Sequence, residues 1–135
     1  MLRKFAAAAT MMAMLAAPAT QAEDRAMTKG EERLAKMLEG RVAGEARRCI
    51  PTSPSRSLTV IDDTALVYKR GDTVWVNYTR NPESLDDSDY LVIRKFGGGS
   101  QLCRHDNVTT RDRGSNFFSG VIFLDDFVPY RRAEG

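Results

Sequence analysis

The chain has 135 residues, of which 20 are basic, 18 are acidic and 42% are hydrophobic, and its formal net charge is +2 at pH 7. This length predicts one domain with a real hydrophobic core. The small basic excess is no evidence for nucleic acid or an anionic membrane surface as partner, because Arg3 and Lys4 supply it from a segment that we expect to be removed.

That segment, residues 1–22, has the build of a secretory signal peptide. Two basic residues precede an uncharged apolar run over 5–17, and Pro18 and small residues follow. The run is shorter than the roughly 20 residues of a spanning helix, so we expect no stable membrane insertion after signal cleavage. Cleavage fits after Ala19 or after Ala22, and we prefer the second because a polar chain then begins. The expected product is soluble, and periplasmic or secreted.

Removal of residues 1–22 leaves 113 residues with 18 basic and 18 acidic side chains, so the mature chain is formally neutral. Residues 23–29 are expected to be a disordered mature N-terminus, and 30–132 a single domain with one disulfide. Thr28 and Glu31 have the spacing of a capping box, which predicts an amphipathic helix over 30–40. Its apolar residues recur at helical spacing, at Leu34, Met37, Leu38 and Val42.

After a connector rich in proline and serine, the apolar pattern changes from helical to alternating. Turn residues separate seven short runs, which we interpret as strands. They are 58–61, 65–69, 73–78, 90–96, 101–104, 108–111 and 120–124. The expected fold is α+β, with one N-terminal amphipathic helix followed by an antiparallel β meander that forms a curled sheet or a partly closed small barrel.

The tripeptide Arg70-Gly71-Asp72, which in other settings is a cell-adhesion ligand, lies between two of these runs. Glycine followed by aspartate favours a tight type II′ hairpin turn, which explains the tripeptide without a receptor. A two-residue turn places Leu66, Tyr68 and Trp75 on one face of the hairpin. These three side chains are the candidate binding surface. Either the helix stripe covers them or they form a ligand platform, and we favour the first.

Cys49 and Cys103 are the only cysteines, and pairing is the expected fate of two thiols in an oxidising compartment. The alternative is a catalytic or metal-binding role with His105, two residues beyond Cys103. A zinc site needs four ligands, or three plus water, and here it would have to use Cys49, Cys103, His105 and Asp106, an unusual set; a nucleophile must be a free thiol. We therefore predict a disulfide, no catalytic residues, no metal and no cofactor.

Paired acidic residues stand at 62–63, 86–87 and 125–126, and a glycine-rich stretch occupies 96–101. Neighbouring residues of an extended chain point to opposite sides, so such pairs do not form a catalytic dyad. The glycines precede a strand pattern and not the helix of a phosphate-binding loop. Turns and a flexible hairpin loop explain both features.

The stretches "EGRVAGEARRCI", "SQLCR" and "DDFVPYRR" resemble a family of short exported bacterial proteins of uncharacterised function, over about 34–132. The resemblance implies export to the periplasm and paired cysteines, and no catalytic residue. We expect a non-catalytic periplasmic binding or structural module, with an envelope or periplasmic protein as partner and no nucleic acid. Two alternatives remain: an inhibitor of an exported hydrolase, inserting a loop such as 79–88 or 97–100, and an envelope hydrolase using aspartates and His105.

Overall fold

A computed structural model describes residues 26–53, 55–96 and 99–133, and the predicted signal peptide lies outside them. The described chain is mostly β, with one α-helix and one short 3₁₀ helix, Pro82–Ser84. The elements in chain order are α1 (Lys29–Met37), β1 (Arg41–Ala43), β2 (Cys49–Pro51), β3 (Thr59–Ile61), β4 (Ala65–Arg70), β5 (Thr73–Asn77), β6 (Asp89–Arg94), β7 (Gln101–Cys103), β8 (Asn107–Asp112), β9 (Phe118–Ile122) and β10 (Val128–Arg132).

Helix α1 starts with the capping box that the sequence predicts. The Thr28 hydroxyl accepts from the Glu31 amide at 3.2 Å, and the Glu31 carboxylate accepts from the Thr28 amide at 2.9 Å. The helix thus begins inside the segment that was expected to be disordered. It ends at Met37, before the predicted residue 40, because Gly40 has φ +70° and turns the chain into β1.

Three antiparallel sheets contain the strands, and none of them is closed. A five-stranded sheet has the order β1-β10-β5-β4-β3, a three-stranded sheet the order β6-β8-β9, and β2 pairs with β7. The predicted meander is present in part, since β3, β4 and β5 are consecutive neighbours. The chain then leaves this sheet and returns with its last strand, β10, between β1 and β5.

The β4–β5 hairpin lies at the centre and is buried on both faces. Ala65, Val67, Val74 and Val76 pack against Leu34 of α1 on one side. The opposite face packs against the two smaller sheets, with contributions from β2, β7, β8 and β9. Helix α1 approaches closely at Gly30, where a Cβ atom would overlap the Thr64 hydroxyl and the Asp62 carbonyl. The five-stranded sheet is therefore the middle layer of the domain.

The turn of this hairpin has the predicted form. Arg70 pairs with Thr73, which leaves Gly71 and Asp72 as a two-residue loop. Gly71 has φ +58° and Asp72 has a negative φ, as a type II′ turn requires. The Asp72 carbonyl also accepts a hydrogen bond from the Arg41 guanidinium. Local backbone geometry accounts for the tripeptide.

Candidate functional site

The two cysteines form a disulfide. Cys49 of β2 and Cys103 of β7 are directly opposite each other in the two-stranded sheet, 54 residues apart in the chain. The predicted pairing is confirmed, and neither sulfur is available as a nucleophile or a metal ligand. The bond holds together a ribbon that contributes two fully buried side chains, Ile50 and Leu102, to the core.

The candidate binding surface of Leu66, Tyr68 and Trp75 is buried. The exposed fractions of the three residues are 1%, 1% and 5%, so they do not form an exposed platform. The helix stripe does not cover them, contrary to the favoured interpretation, because α1 packs on the opposite face of the hairpin. The smaller sheets cover this face instead. Tyr68 also lines a surface cavity.

That cavity, which we call the edge groove, has a volume of about 710 Å³ and lies between two strand edges. One wall is β3, the outermost strand of the five-stranded sheet. The other wall is β6, the outermost strand of the three-stranded sheet. In the described chain β3 pairs only with β4, and β6 pairs only with β8. Two strands that each have one unpaired edge therefore line the same cavity.

The floor of the edge groove is apolar. Leu58 and Val60 project from the β3 side and Leu91 and Ile93 from β6, and all four are half-buried against the main core. The Tyr68 hydroxyl accepts a hydrogen bond from the Ser53 amide at 3.0 Å, so its ring extends from the core to the groove wall. This combination of an apolar surface with a few fixed polar groups is typical of ligand sites.

The rim of the edge groove carries more positive than negative charge. Its basic residues are Arg33, Arg56, Lys95 and Arg113, all of which are exposed. Its acidic residues are Asp87 and Asp89, and Asp89 is buried with its carboxylate accepting from the Ser119 hydroxyl at 3.2 Å. An anionic group at the rim would meet complementary charge.

Two hydrogen bonds link the segments that flank the groove strands. The Asp63 amide donates to the Leu85 carbonyl at 3.0 Å, which ties the chain after β3 to the segment before β6. The Lys95 ammonium, just after β6, donates to the Thr52 hydroxyl, just after β2, at 2.8 Å.

Three acidic residues from two segments of the chain come together beside the groove, which Asp87 lines. Carboxylate oxygens of Asp62, Asp86 and Asp87 lie within 4.8 Å of one another, and all three residues are exposed. The Asp62 carboxylate accepts from the Asp87 amide. The Asp86 carboxylate accepts from the Ser88 hydroxyl and amide, and these bonds lower its pKa. The cluster stabilises turns, as the sequence predicts for the first two acidic pairs.

His105 is 62% exposed at its side chain, and its Nε2 is 4.0 Å from the Asp106 carboxylate. That distance is too long for the hydrogen bond that orients a general base. The Asp106 carboxylate instead accepts hydrogen bonds from the Cys103 and Phe96 amides, at 2.7 and 2.9 Å. The described residues therefore assemble no nucleophile and base pair around this histidine.

The edge groove itself could not be predicted from the sequence. Val60 belongs to a three-residue strand that Leu58 precedes, and Leu91 and Ile93 belong to a strand almost 30 positions later. Alternation predicts that each strand exists, but only the tertiary fold brings the two edges face to face.

The chain matches no protein-family model, no curated protein and no solved structure. The resemblance to short exported bacterial proteins therefore stays a prediction. No helix among the described residues is long and apolar enough to cross a membrane.

Proposed function

We propose that this protein is an exported, non-catalytic binding domain, and that its edge groove takes an extended peptide segment of an envelope or periplasmic protein. One observation carries the proposal: the outermost strands of two sheets, β3 and β6, both line a cavity of about 710 Å³ with an apolar floor. An extended peptide satisfies exposed edge amides and carbonyls by adding a strand to the sheet.

The dimensions of the groove suit a short peptide. Strand β6 has six residues and β3 has three, so the longer wall offers about 20 Å of edge at roughly 3.3 Å per residue. A peptide that pairs with β6 would expose alternate side chains to the floor at Leu91 and Ile93. Its remaining side chains would face the rim. The matching peptide thus alternates apolar and acidic residues.

Two further observations support export and the absence of catalysis. A disulfide between the only cysteines is typical of a protein in an oxidising compartment. Such a compartment is where the predicted signal peptide would direct the chain. The only histidine is exposed and has no hydrogen-bonded carboxylate among the described residues. The edge groove can therefore recognise a ligand by backbone pairing, apolar contact and charge complementarity.

Fluorescence anisotropy with a labelled six-residue peptide that alternates valine and glutamate tests the proposal. We expect saturable binding that weakens at least about tenfold when alternate peptide amides are N-methylated, because methylation removes several backbone hydrogen bonds. Replacing glutamate by lysine is expected to abolish binding, because the rim is basic. Equal binding of the N-methylated peptide would refute strand addition.

Matched variants locate the site. Val60→Glu places a charge on the groove floor, whereas Val42→Glu places the same charge on β1, an edge strand far from the groove in the sheet order. Arg56→Glu reverses an exposed rim charge, and Arg70→Glu does the same in the hairpin turn. Only the groove variants are expected to weaken binding. If the paired controls weaken it equally, the peptide binds elsewhere.

Capture from periplasmic extract distinguishes the alternatives. A stoichiometric exported hydrolase, inhibited on binding, would favour the inhibitor hypothesis. Substrate turnover that is lost in His105→Ala would favour an envelope hydrolase. A non-enzymatic partner displaced by the valine and glutamate peptide would support the groove.

A further inference from the structure

A second cavity, of about 340 Å³, is lined almost entirely by basic side chains. Its residues are Arg48, Cys49, Arg80, Arg104 and His105, and we call it the arginine pocket. It shares no lining residue with the edge groove. No carboxylate lines it, although the mature chain as a whole is formally neutral. The positive charge here is a local arrangement and not a reflection of overall composition.

The neighbouring carboxylates leave the pocket positive. Asp126 makes a salt bridge with Arg104 at 3.1 Å. Asp106, 4.0 Å from His105, has a side chain that is only 1% exposed. Arg48 and Arg80 are exposed and make no salt bridge with any other residue of the described chain. Two guanidinium groups are therefore available to an anion from solution.

The fold fixes the backbone of these arginines. Arg48 precedes Cys49 of β2 and Arg104 follows Cys103 of β7, so both flank the disulfide, and the Arg104 amide donates to the Arg48 carbonyl at 2.8 Å. The Arg80 amide donates to the Phe123 carbonyl at 2.8 Å, and the adjacent Asn81 side chain donates to the Val121 carbonyl at 2.7 Å. Backbone hydrogen bonds and a covalent bond thus hold the three backbone positions from which the guanidinium groups extend.

An exposed apolar patch lies beside the arginine pocket. Phe96, Val121 and Phe123 are 68%, 37% and 53% exposed. Together with Arg80, Arg104 and His105 they line an adjoining cavity of about 210 Å³. The Arg80 guanidinium also lies 6.0 Å from the centre of the Phe123 ring. Large apolar side chains left in water next to concentrated positive charge mark an interaction site.

We propose that the arginine pocket binds the phosphate group of an anionic lipid, while Phe96, Val121 and Phe123 contact the apolar part of the same membrane surface. Guanidinium groups match the geometry and charge of phosphate oxygens, and the aromatic patch suits the boundary between headgroups and acyl chains. The contact is peripheral, since it needs no spanning segment. Charge complementarity together with the adjacent apolar patch favours a lipid over a free anion.

Co-sedimentation of the mature protein with vesicles tests the proposal. We expect binding to phosphatidylcholine vesicles that contain phosphatidic acid, and none to phosphatidylcholine alone. Arg48→Gln and Arg80→Gln are each expected to weaken binding about fivefold, the usual contribution of one basic residue at an anionic surface. The exposed Arg70→Gln, in the hairpin turn, is the matched control and is expected to leave binding unchanged.

The apolar contribution has its own control. Phe123→Ser is expected to weaken vesicle binding, whereas Phe117→Ser removes a ring that is 75% exposed but lines neither cavity. Because the substituted residues are exposed, an unchanged emission spectrum of Trp75 would verify that the variants fold. Equal losses for both phenylalanine variants would refute the assigned patch.

Inorganic phosphate distinguishes the sources of the anion. If the protein binds phosphate in solution by calorimetry but does not bind vesicles, the pocket takes a free anion and the lipid proposal is wrong. Vesicle binding that survives in an Arg48→Gln/Arg80→Gln double variant would also overturn it. Neither result bears on peptide binding in the edge groove, which is measured without lipid.

Discussion

Removing the disulfide should be strongly destabilising, and the structure sets the size of the effect. The bond joins residues 54 positions apart, and the chain-entropy relation for a loop of this length gives about 4 kcal/mol at 25 °C. It also clamps a ribbon of only three residue pairs, and isolated two-stranded ribbons are marginal in water. Ile50 and Leu102 leave the core if the ribbon opens.

The Cys49→Ala/Cys103→Ala double variant makes this perturbation without leaving a free thiol. With a urea dependence of about 2 kcal/mol per molar, the unfolding midpoint should fall by about 2 M. Trp75 fluorescence reports the transition, since the ring is 5% exposed and packs in the same cluster as Ile50 and Leu102. Reductant should lower the urea unfolding midpoint of the natural sequence and leave the midpoint of the double variant unchanged. A loss below about 1 kcal/mol would show that the disulfide contributes little to stability.

Three further predictions concern α1 and the tyrosines. Gly30→Ala should lower the free energy of unfolding, measured with urea, by about 1–3 kcal/mol, because a Cβ atom at this position would meet the backbone. Gly99→Ala should change it by less than about 0.5 kcal/mol, because a Cβ atom there would point into open space. Thr28→Ala should cost about 1 kcal/mol by the same measurement, and an unchanged midpoint would show that the capping box contributes nothing. Burial, and then the hydrogen bond with Tyr130 at 2.5 Å, raise the pKa of Tyr78 above its ordinary value of 10.0. The folded state therefore favours the protonated phenol. The contribution of Tyr78 to the free energy of unfolding is complete below about pH 10 and is lost as the pH rises further. Urea midpoints measured between about pH 9 and 11 should fall more steeply for the natural sequence than for Tyr78→Phe, and equal slopes would contradict this cause.

The central hairpin was predictable because its determinants are local. Alternation in β4 and β5 fixes which side chains share a face, and Gly71 supplies the positive φ of the turn. The capping box at Thr28 is equally local. What covers each face of the hairpin is a tertiary question, and there the prediction was wrong: α1 covers the valine face and not the face of Tyr68.

Strands β1, β2 and β10 escaped prediction because their sequences lack a strand pattern. Strand β10 contains Pro129 and ends in two arginines, yet it pairs on both sides, with the Pro129 carbonyl accepting from the Gly44 amide at 2.7 Å. Proline removes one donor and leaves the carbonyl available for this bond. The arginine pocket depends on the long-range pairing of β2 with β7, and the edge groove depends on how the two larger sheets pack, so neither was accessible from the order of residues alone.

Hydrogen exchange with the valine and glutamate peptide bound is the most direct test of strand addition. We expect slower exchange of backbone amides in β3 and β6, the two walls of the groove, with little change in β1 and β9 at the opposite edges of the same sheets. Slower exchange confined to β1 or β9, or no change at any strand edge under saturating peptide, would contradict it.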